Sequence, residues 1–154
     1  MSVLEAALTR ARPVVAWLSE STWIPALLVR LVVGYFFFET GWAKAGDLDA
    51  MVERFVGWGI PFPALSVGLS VYTELIGGAL LMLGLATRLV AIPLFINMAV
   101  ALGVVAMRNV ETLEEFVEED EPLYMLFFLW LFFAGPGRIS LDHLIARRWG
   151  WTER

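Results

Sequence analysis

The chain has 154 residues, of which 59% are hydrophobic and 18% charged, and its mean hydropathy is +0.72. Ordinary soluble domains are about 45–50% apolar and about 25% charged, and so short a chain could not bury this much apolar surface in water. Cysteine is absent and histidine occurs once, which excludes thiol chemistry and argues against a metal centre built by the chain itself. The net charge of −5 argues against nucleic acid as a partner. The composition indicates a small integral membrane protein.

The N-terminal segment, residues 1–22, has apolar residues recurring at helical spacing, with Glu5, Arg10 and Arg12 between them. This pattern predicts an amphipathic helix lying in the membrane interface. The segment lacks the charged start, apolar centre and small-residue cleavage site of a signal peptide. We therefore expect it to be retained.

Four runs are apolar enough to form transmembrane helices, which need about 20 such residues. They are Trp23–Ala45, Pro61–Leu85, Arg88–Met107 and Leu123–Ala134. The fourth is short and is expected to begin inside the preceding acidic stretch or to lie in a thinned region of the bilayer. The sequence thus predicts an all-α, four-helix up-down membrane bundle over residues 23–142, followed by a basic cytoplasmic tail over residues 143–154.

The positions of lysine and arginine predict the orientation of this bundle. With a cytoplasmic N-terminus, seven of the eleven basic residues face the cytoplasm: Arg10, Arg12, Arg88, Arg138, Arg147, Arg148 and Arg154. Both termini are therefore expected on the cytoplasmic side of a prokaryotic inner membrane. The acidic segment 111–121 would then face outward, either as a solvated surface or as a docking patch for a basic extracytoplasmic partner.

Ionisable side chains within the predicted spans are Arg30, Glu39 and Glu74, with the polar Asn97 on the third helix. Such groups are costly in lipid and indicate a functional site by default. From the rise per residue, Arg30 and Glu74 are expected at similar depth, and we predict that they pair. Two interpretations remain open: a polar pocket for a quinone head group or another small ligand, and an ion pair that fixes helix register.

Glu39 is predicted on the opposite side of the first helix from Arg30, with Lys44, Arg54 or Arg108 as its partner. Asn97 is expected to hydrogen-bond across the bundle. Pro93 should kink the third helix, which can open a small cavity. His143 lies among basic residues beyond the fourth helix and is expected to be interfacial rather than a metal ligand.

Four motifs together resemble the DoxX family of small membrane proteins. They are the Arg30–Gly34 run followed by Gly41 and Lys44; the Gly59-Ile60-Pro61 turn with Pro63; the Glu74–Arg88 segment with Gly77 and Gly78; and the Gly135-Pro136-Gly137-Arg138 run with Ser140 and Asp142. The resemblance covers about Leu27 to Asp142 and implies a four-helix membrane bundle. It also implies a link to redox chemistry, since members include the small subunit of thiosulfate:quinone oxidoreductase. Many members carry histidine immediately before the glycine of the first motif, where this chain has Thr40.

The leading hypothesis is a membrane subunit or accessory protein of a redox complex, linked to quinone. Arg30, Glu39, Glu74 and Asn97 would line its polar interior, with no metal and no cofactor other than quinone. One alternative is a small proton- or solute-conducting protein that relays charge through Glu74, Glu39 and Asn97. Another is a purely structural anchor for other subunits.

Overall fold

The computed structural model describes residues 3–108 and 110–150, with side chains from Arg10 onward, and these residues form an all-α protein. The α-helices are α1 (Val3–Glu20), α2 (Trp23–Ala45), α3 (Leu48–Gly57), α4 (Pro63–Leu83), α5 (Thr87–Val104), α6 (Leu113–Glu118), α7 (Asp120–Ala134) and α8 (Leu141–Arg148). A short 3-10 turn, Ala106–Arg108, continues α5.

The predicted long helices are confirmed, with small changes at their ends. Helix α2 has the bounds predicted for the first transmembrane helix. Helix α7 begins at Asp120, inside the acidic stretch, which was one of the two alternatives for the fourth. Among the described residues, three helical segments are long and apolar enough to cross a membrane: Arg10–Ala45, Pro63–Leu83 and Thr87–Arg108. With 15 residues, α7 is about 22 Å long, which is less than the apolar thickness of about 30 Å of a typical bilayer.

Helices α2 and α4 pack antiparallel, and glycines permit their close approach. A Cβ atom at Gly34 would lie 2.9 Å from the carbonyl oxygen of Gly78, and one at Gly41 would collide with the backbone of Leu75. Small residues of this kind let two helices in a membrane bring their backbones together. The contact fixes which side chains of α2 and α4 face each other.

The core lies where α2, α4, α5 and α7 meet. Leu81, Leu94, Phe128 and Leu131 are fully buried there. The ring of Phe37 contacts that of Phe128 edge-on, with centroids 5.1 Å apart. This apolar cluster fills the half of the bundle where α2 begins and α4 ends, which we call the Arg30 end. The opposite half, where α2 ends and α4 begins, is the Lys44 end.

The terminal helices lie outside this core. The described side chains of α1, from Arg10 to Glu20, are all exposed, so the predicted helix is present and does not pack on the bundle. The hydroxyl of Ser140 accepts a hydrogen bond from the backbone N–H of His143 at 3.1 Å. Ser140 thereby caps α8.

Two short helices, α3 and α6, lie between the helices predicted to span the membrane. Asp47 caps α3 by accepting a hydrogen bond from the N–H of Ala50 at 3.1 Å. A reciprocal capping box between Thr112 and Glu115 begins α6, within the acidic segment 111–121. Of these two, α3 affects the candidate site, because it lies over the Lys44 end.

Candidate functional site

Three helices bring polar side chains together around Glu74, which lies near the middle of α4 and is 2% exposed. Nζ of Lys44, from α2, lies 2.6 Å from Oε2 and 2.8 Å from Oε1 of this carboxylate. Nδ2 of Asn97, from α5, donates a hydrogen bond to Oε1 at 2.9 Å. Glu74, Lys44 and Asn97 form the polar triad of the bundle.

The triad satisfies a carboxylate that would otherwise be costly to bury. An isolated ionised group in a medium of low dielectric constant loses its hydration, and a counter-charge with good hydrogen-bond geometry offsets that cost. The two charged members differ in accessibility, since the Lys44 side chain is 29% exposed and that of Glu74 is 2% exposed. Of the two charged members, Lys44 is therefore the one that a ligand can reach.

Lys44 borders a cavity of about 550 Å³ at the Lys44 end, and Glu74 and Asn97 line it as well. Aromatic side chains form much of its wall: Phe36, Phe37, Phe55, Trp58 and Tyr124. Arg54, Asp120 and Glu121 also line it and supply charge of both signs. An apolar pocket of this size with a few converging polar groups is typical of small-molecule sites.

Helix α3 covers one side of this cavity. Its buried residues Met51 and Phe55 pack against Val67 and Val71 of α4. The residue that follows α3 is held by Arg108, whose Nη2 donates a hydrogen bond to the carbonyl oxygen of Trp58 at 2.7 Å. The cover is therefore attached to α4 by apolar contacts and to the end of α5 by a hydrogen bond.

The predicted ion pair between Arg30 and Glu74 is wrong. Arg30 is 1% exposed, and its guanidinium donates to four backbone carbonyl oxygens, those of Leu81 at 2.9 Å, Met82 at 3.3 Å, Ile139 at 2.9 Å, and Pro136. Helical side chains lean toward the N-terminus of their own helix. Arg30 therefore extends away from Glu74, and Lys44, near the other end of α2, extends toward it.

Arg30 instead belongs to a backbone-binding cluster at the Arg30 end. Asp142 accepts hydrogen bonds from the N–H groups of Ala86, at 2.7 Å, and Thr87, at 2.9 Å, and so caps the start of α5. The N–H of Asp142 in turn donates to the carbonyl oxygen of Gly84 at 2.9 Å. Arg30 and Asp142 thus fasten the segment after α7 to the turn between α4 and α5, which is a structural role.

Glu39 lies apart from both clusters. It is exposed, opposite the buried Arg30 on α2 as predicted, and it has no hydrogen bond or ion pair with the described part of the chain. Its predicted partners are engaged elsewhere in two cases: Lys44 binds Glu74, and Arg108 binds backbone carbonyls. Asn97 does hydrogen-bond across the bundle, as expected.

The remaining motif residues surround the two clusters. Gly41 and Gly78 lie at the α2–α4 contact, and Gly77 faces Leu94 of α5. The guanidinium of Arg88 lies against Gly135, which has a left-handed φ of 81°. The carbonyl oxygen of Pro136 accepts a hydrogen bond from Arg30. Gly137 lies against Trp23, and the Arg138 side chain is exposed.

A metal centre has no support in the described ranges, where no three His, Asp or Glu side chains are grouped so as to hold an ion. Sequence reasoning missed Lys44 as the partner of Glu74, and it missed α3. The spacing of Arg30, Gly34, Phe37, Gly41 and Lys44 by alternating steps of four and three was the available signal, because it places all five on one helix face.

Comparisons with known proteins agree with the resemblance noted in the sequence. The DoxX family profile matches residues 26–107. The chain is 32% identical over 136 residues to the "Uncharacterized membrane protein Rv3486" of Mycobacterium tuberculosis, covering 79% of this chain and 82% of that protein. It is 36% identical over 76 residues to the "Putative oxidoreductase CatD" of Bacillus subtilis, covering 49% of this chain and 54% of that protein. No solved structure matches significantly. The chain belongs to the DoxX family of membrane proteins.

Proposed function

We propose that this protein is a membrane subunit or accessory protein of a quinone-linked redox complex, and that the cavity at the Lys44 end receives a quinone head group. The observation that carries the proposal is the aromatic-walled cavity of about 550 Å³ that ends at Lys44, Glu74 and Asn97. The word "oxidoreductase" in the name of the Bacillus subtilis relative supports a redox context.

The chemistry of the cavity suits a quinone. A quinone is a flat ring with two carbonyl acceptors, and the rings of Phe55, Trp58 and Tyr124 offer surfaces for stacking. Lys44 has three N–H donors, and the Asn97 amide has a second N–H beyond the one bound to Glu74. These donors can bind a carbonyl oxygen of the ring while Glu74 holds the side chains of Lys44 and Asn97 in place.

The chain supplies no electron carrier of its own, since it has no cysteine and one histidine. Reduction of the quinone to quinol takes two electrons and two protons. In this proposal a partner oxidoreductase subunit provides the electrons, and protons reach the ring through water at the mouth of the cavity. The protein's part is to bind and orient the ring.

We propose further that α2, α4, α5 and α7 cross a prokaryotic inner membrane as a four-helix up-down bundle, with α7 in a thinned region. The antiparallel α2–α4 contact supports the up-down arrangement, and the closeness of Gly137 to Trp23 supports having the start of α2 and the end of α7 on the same side of the membrane. The excess of basic residues favours the cytoplasm for that side. The cavity and the acidic segment 111–121 then face outward, where a basic partner would dock.

The two alternatives fit the geometry less well. A proton relay through Glu74 and Glu39 would have to join a buried carboxylate to one exposed on the far side of α2. Between the triad and the Arg30 end lie Leu81, Leu94 and Phe128, which are fully buried and apolar. A purely structural anchor would not need the cavity beside Lys44.

The test is quinone binding by the purified protein in lipid nanodiscs that contain no quinone, using water-soluble benzoquinone and naphthoquinone head groups. We expect saturable binding that Lys44→Met weakens by about tenfold, the loss of one good hydrogen bond to a charged donor. Glu74→Gln should also weaken it, because Lys44 loses its fixed position. Glu39→Gln is the matched control, since it changes an exposed carboxylate of α2, and it should leave affinity within about twofold.

Two results would contradict the proposal. One is the absence of saturable binding by the unchanged protein. The other is equal affinity in the unchanged protein and in Lys44→Met. Purification from native membranes tests the partner separately, and a protein that carries neither quinone nor another subunit would count against the redox complex.

A further inference from the structure

A second concave surface lies on the outside of the bundle between α4 and α5. It is an open groove of about 480 Å³, lined mainly by apolar residues that include Ala64, Leu65, Gly68, Ile76, Leu80 and Val90. Leu65 and Ile76 are more than half exposed. In a membrane this groove faces the lipid chains, because it runs along two of the three helices long enough to span.

The groove adjoins the cavity at the Lys44 end. Leu69, Thr73 and Pro93 line both of them. Thr73 directly precedes Glu74 in α4, so the shared residues lie close to the polar triad.

We propose that the ligand of this protein is a lipid-tailed quinone, whose head group lies in the cavity and whose isoprenoid tail lies in the α4–α5 groove. The inference rests on the proposed function and adds the ligand class and its path. The ligand reaches the cavity sideways from the bilayer, between α4 and α5, past Leu69, Thr73 and Pro93. Its tail never leaves an apolar medium.

The shape and chemistry of the two spaces match an amphiphile with a polar ring and an aliphatic chain. Transfer of a tail from lipid to the groove gains little hydrophobic free energy, because lipid chains are as apolar as the groove. The groove contributes van der Waals contact and space instead. Gly68 provides part of that space, since no atom lies within 4 Å of the position that its Cβ would occupy.

The experiment compares Gly68→Phe with Gly103→Phe in quinone-free nanodiscs. Both glycines are helical with open space around the Cβ position, but Gly103 lines neither the groove nor the cavity. Binding is measured for a tail-less head group and for the same head group with several isoprenoid units, with concentrations of the tailed compound expressed per lipid. Gly68→Leu serves as a smaller second variant, and thermal unfolding verifies that each variant folds.

We expect Gly68→Phe to weaken binding of the tailed quinone by at least about tenfold, because the ring occupies the path of the tail. The tail-less head group should bind the unchanged protein and all three variants with affinities within about twofold of one another. Equal binding of the tailed quinone by Gly68→Phe and Gly103→Phe would overturn the inference and leave the proposed function standing. Failure of both quinones to bind the unchanged protein would overturn the inference together with the proposed function. If Gly68→Phe lost the same factor of affinity for the tailed and the tail-less quinone, the inference would also be overturned, since the substitution would then not act through the tail.

Discussion

Nζ of Lys44 lies 2.6 Å from Oε2 of Glu74, and this contact joins the end of α2 to the middle of α4. Gly41, one turn before Lys44, allows the two helix backbones to approach closely enough for the contact to form. The same residues therefore serve the packing of the bundle and the polar side of the cavity. Their separate contributions to folding and to binding can be measured.

Removing the charge of Lys44 should destabilise the protein more than removing the charge of Glu74. Lys44→Met leaves Glu74 buried without a counter-charge and should lower the free energy of unfolding by about 3 kcal/mol, the lower end for a buried pair. Glu74→Gln keeps an acceptor for Asn97 and leaves Lys44 with access to the cavity, so its cost should be about 1 kcal/mol. Unfolding in mixed micelles measures both. The double variant should be more stable than Lys44→Met alone, and additive losses would contradict the pairing.

Arg30 should matter for folding and not for ligand affinity. Arg30→Met leaves the buried carbonyl oxygens of Leu81 and Pro136 without their donor and should cost about 3 kcal/mol or more. Arg30→Lys should recover little, because an ammonium cannot reproduce the planar fork of donors. Arg147→Met, an exposed arginine of α8, is the control and should change stability by less than about 0.5 kcal/mol. Quinone affinity reduced in Arg30→Met but not in the control would contradict this assignment, provided that both are folded.

Two alanine substitutions in α4 should have opposite effects. A Cβ atom at Gly78 collides with the backbone of Phe38, so Gly78→Ala should force the helices apart and cost about 1–3 kcal/mol. Gly68 has open space, and Gly68→Ala should stabilise the helix by up to about 1 kcal/mol. Thermal unfolding of the two variants compares them directly. A stable Gly78→Ala would show that the close α2–α4 contact is not required.

The α3 cover should affect ligand retention. Phe55→Ala removes a buried ring that packs on Val67 and Val71 and lines the cavity. We expect faster dissociation of the quinone head group, with affinity reduced by about tenfold. Val56→Ala changes the neighbouring exposed residue of the same helix and should leave the dissociation rate unchanged. Stopped-flow displacement measures both, and equal rates would mean that α3 does not retain the ligand.

The spans of the long helices could be predicted because their signals are local. Apolar runs and the residues that bound them defined α2 to the residue, and for α7 they left a start within the acidic stretch as one of two alternatives. The helix α3 was missed because its ten residues are too few to span a membrane and include the charged residues Asp49, Glu53 and Arg54. Its signal was present, since Asp47 provides a cap and Met51 and Phe55 are four residues apart.

The candidate site could be predicted in part. Glu74 and Asn97 were identified as interior polar residues, and their positions agree with that expectation. The partner predicted for Glu74, Arg30, was wrong because a depth counted along the helix axis ignores the direction in which long side chains extend. Lys44 and Arg30 each extend several ångströms toward the N-terminus of α2, which brings one to Glu74 and takes the other away. The cavity itself depends on the packing of distant segments and has no local signal.

The most direct measurement of the central claim is an experimental structure of the protein in lipid with a tailed quinone bound. The account predicts ring density in the cavity at the Lys44 end, with a carbonyl oxygen within hydrogen-bond distance of Nζ of Lys44 and the tail between α4 and α5. A quinone bound elsewhere on the protein, or a cavity that holds only lipid chains or water at saturating quinone, would contradict it.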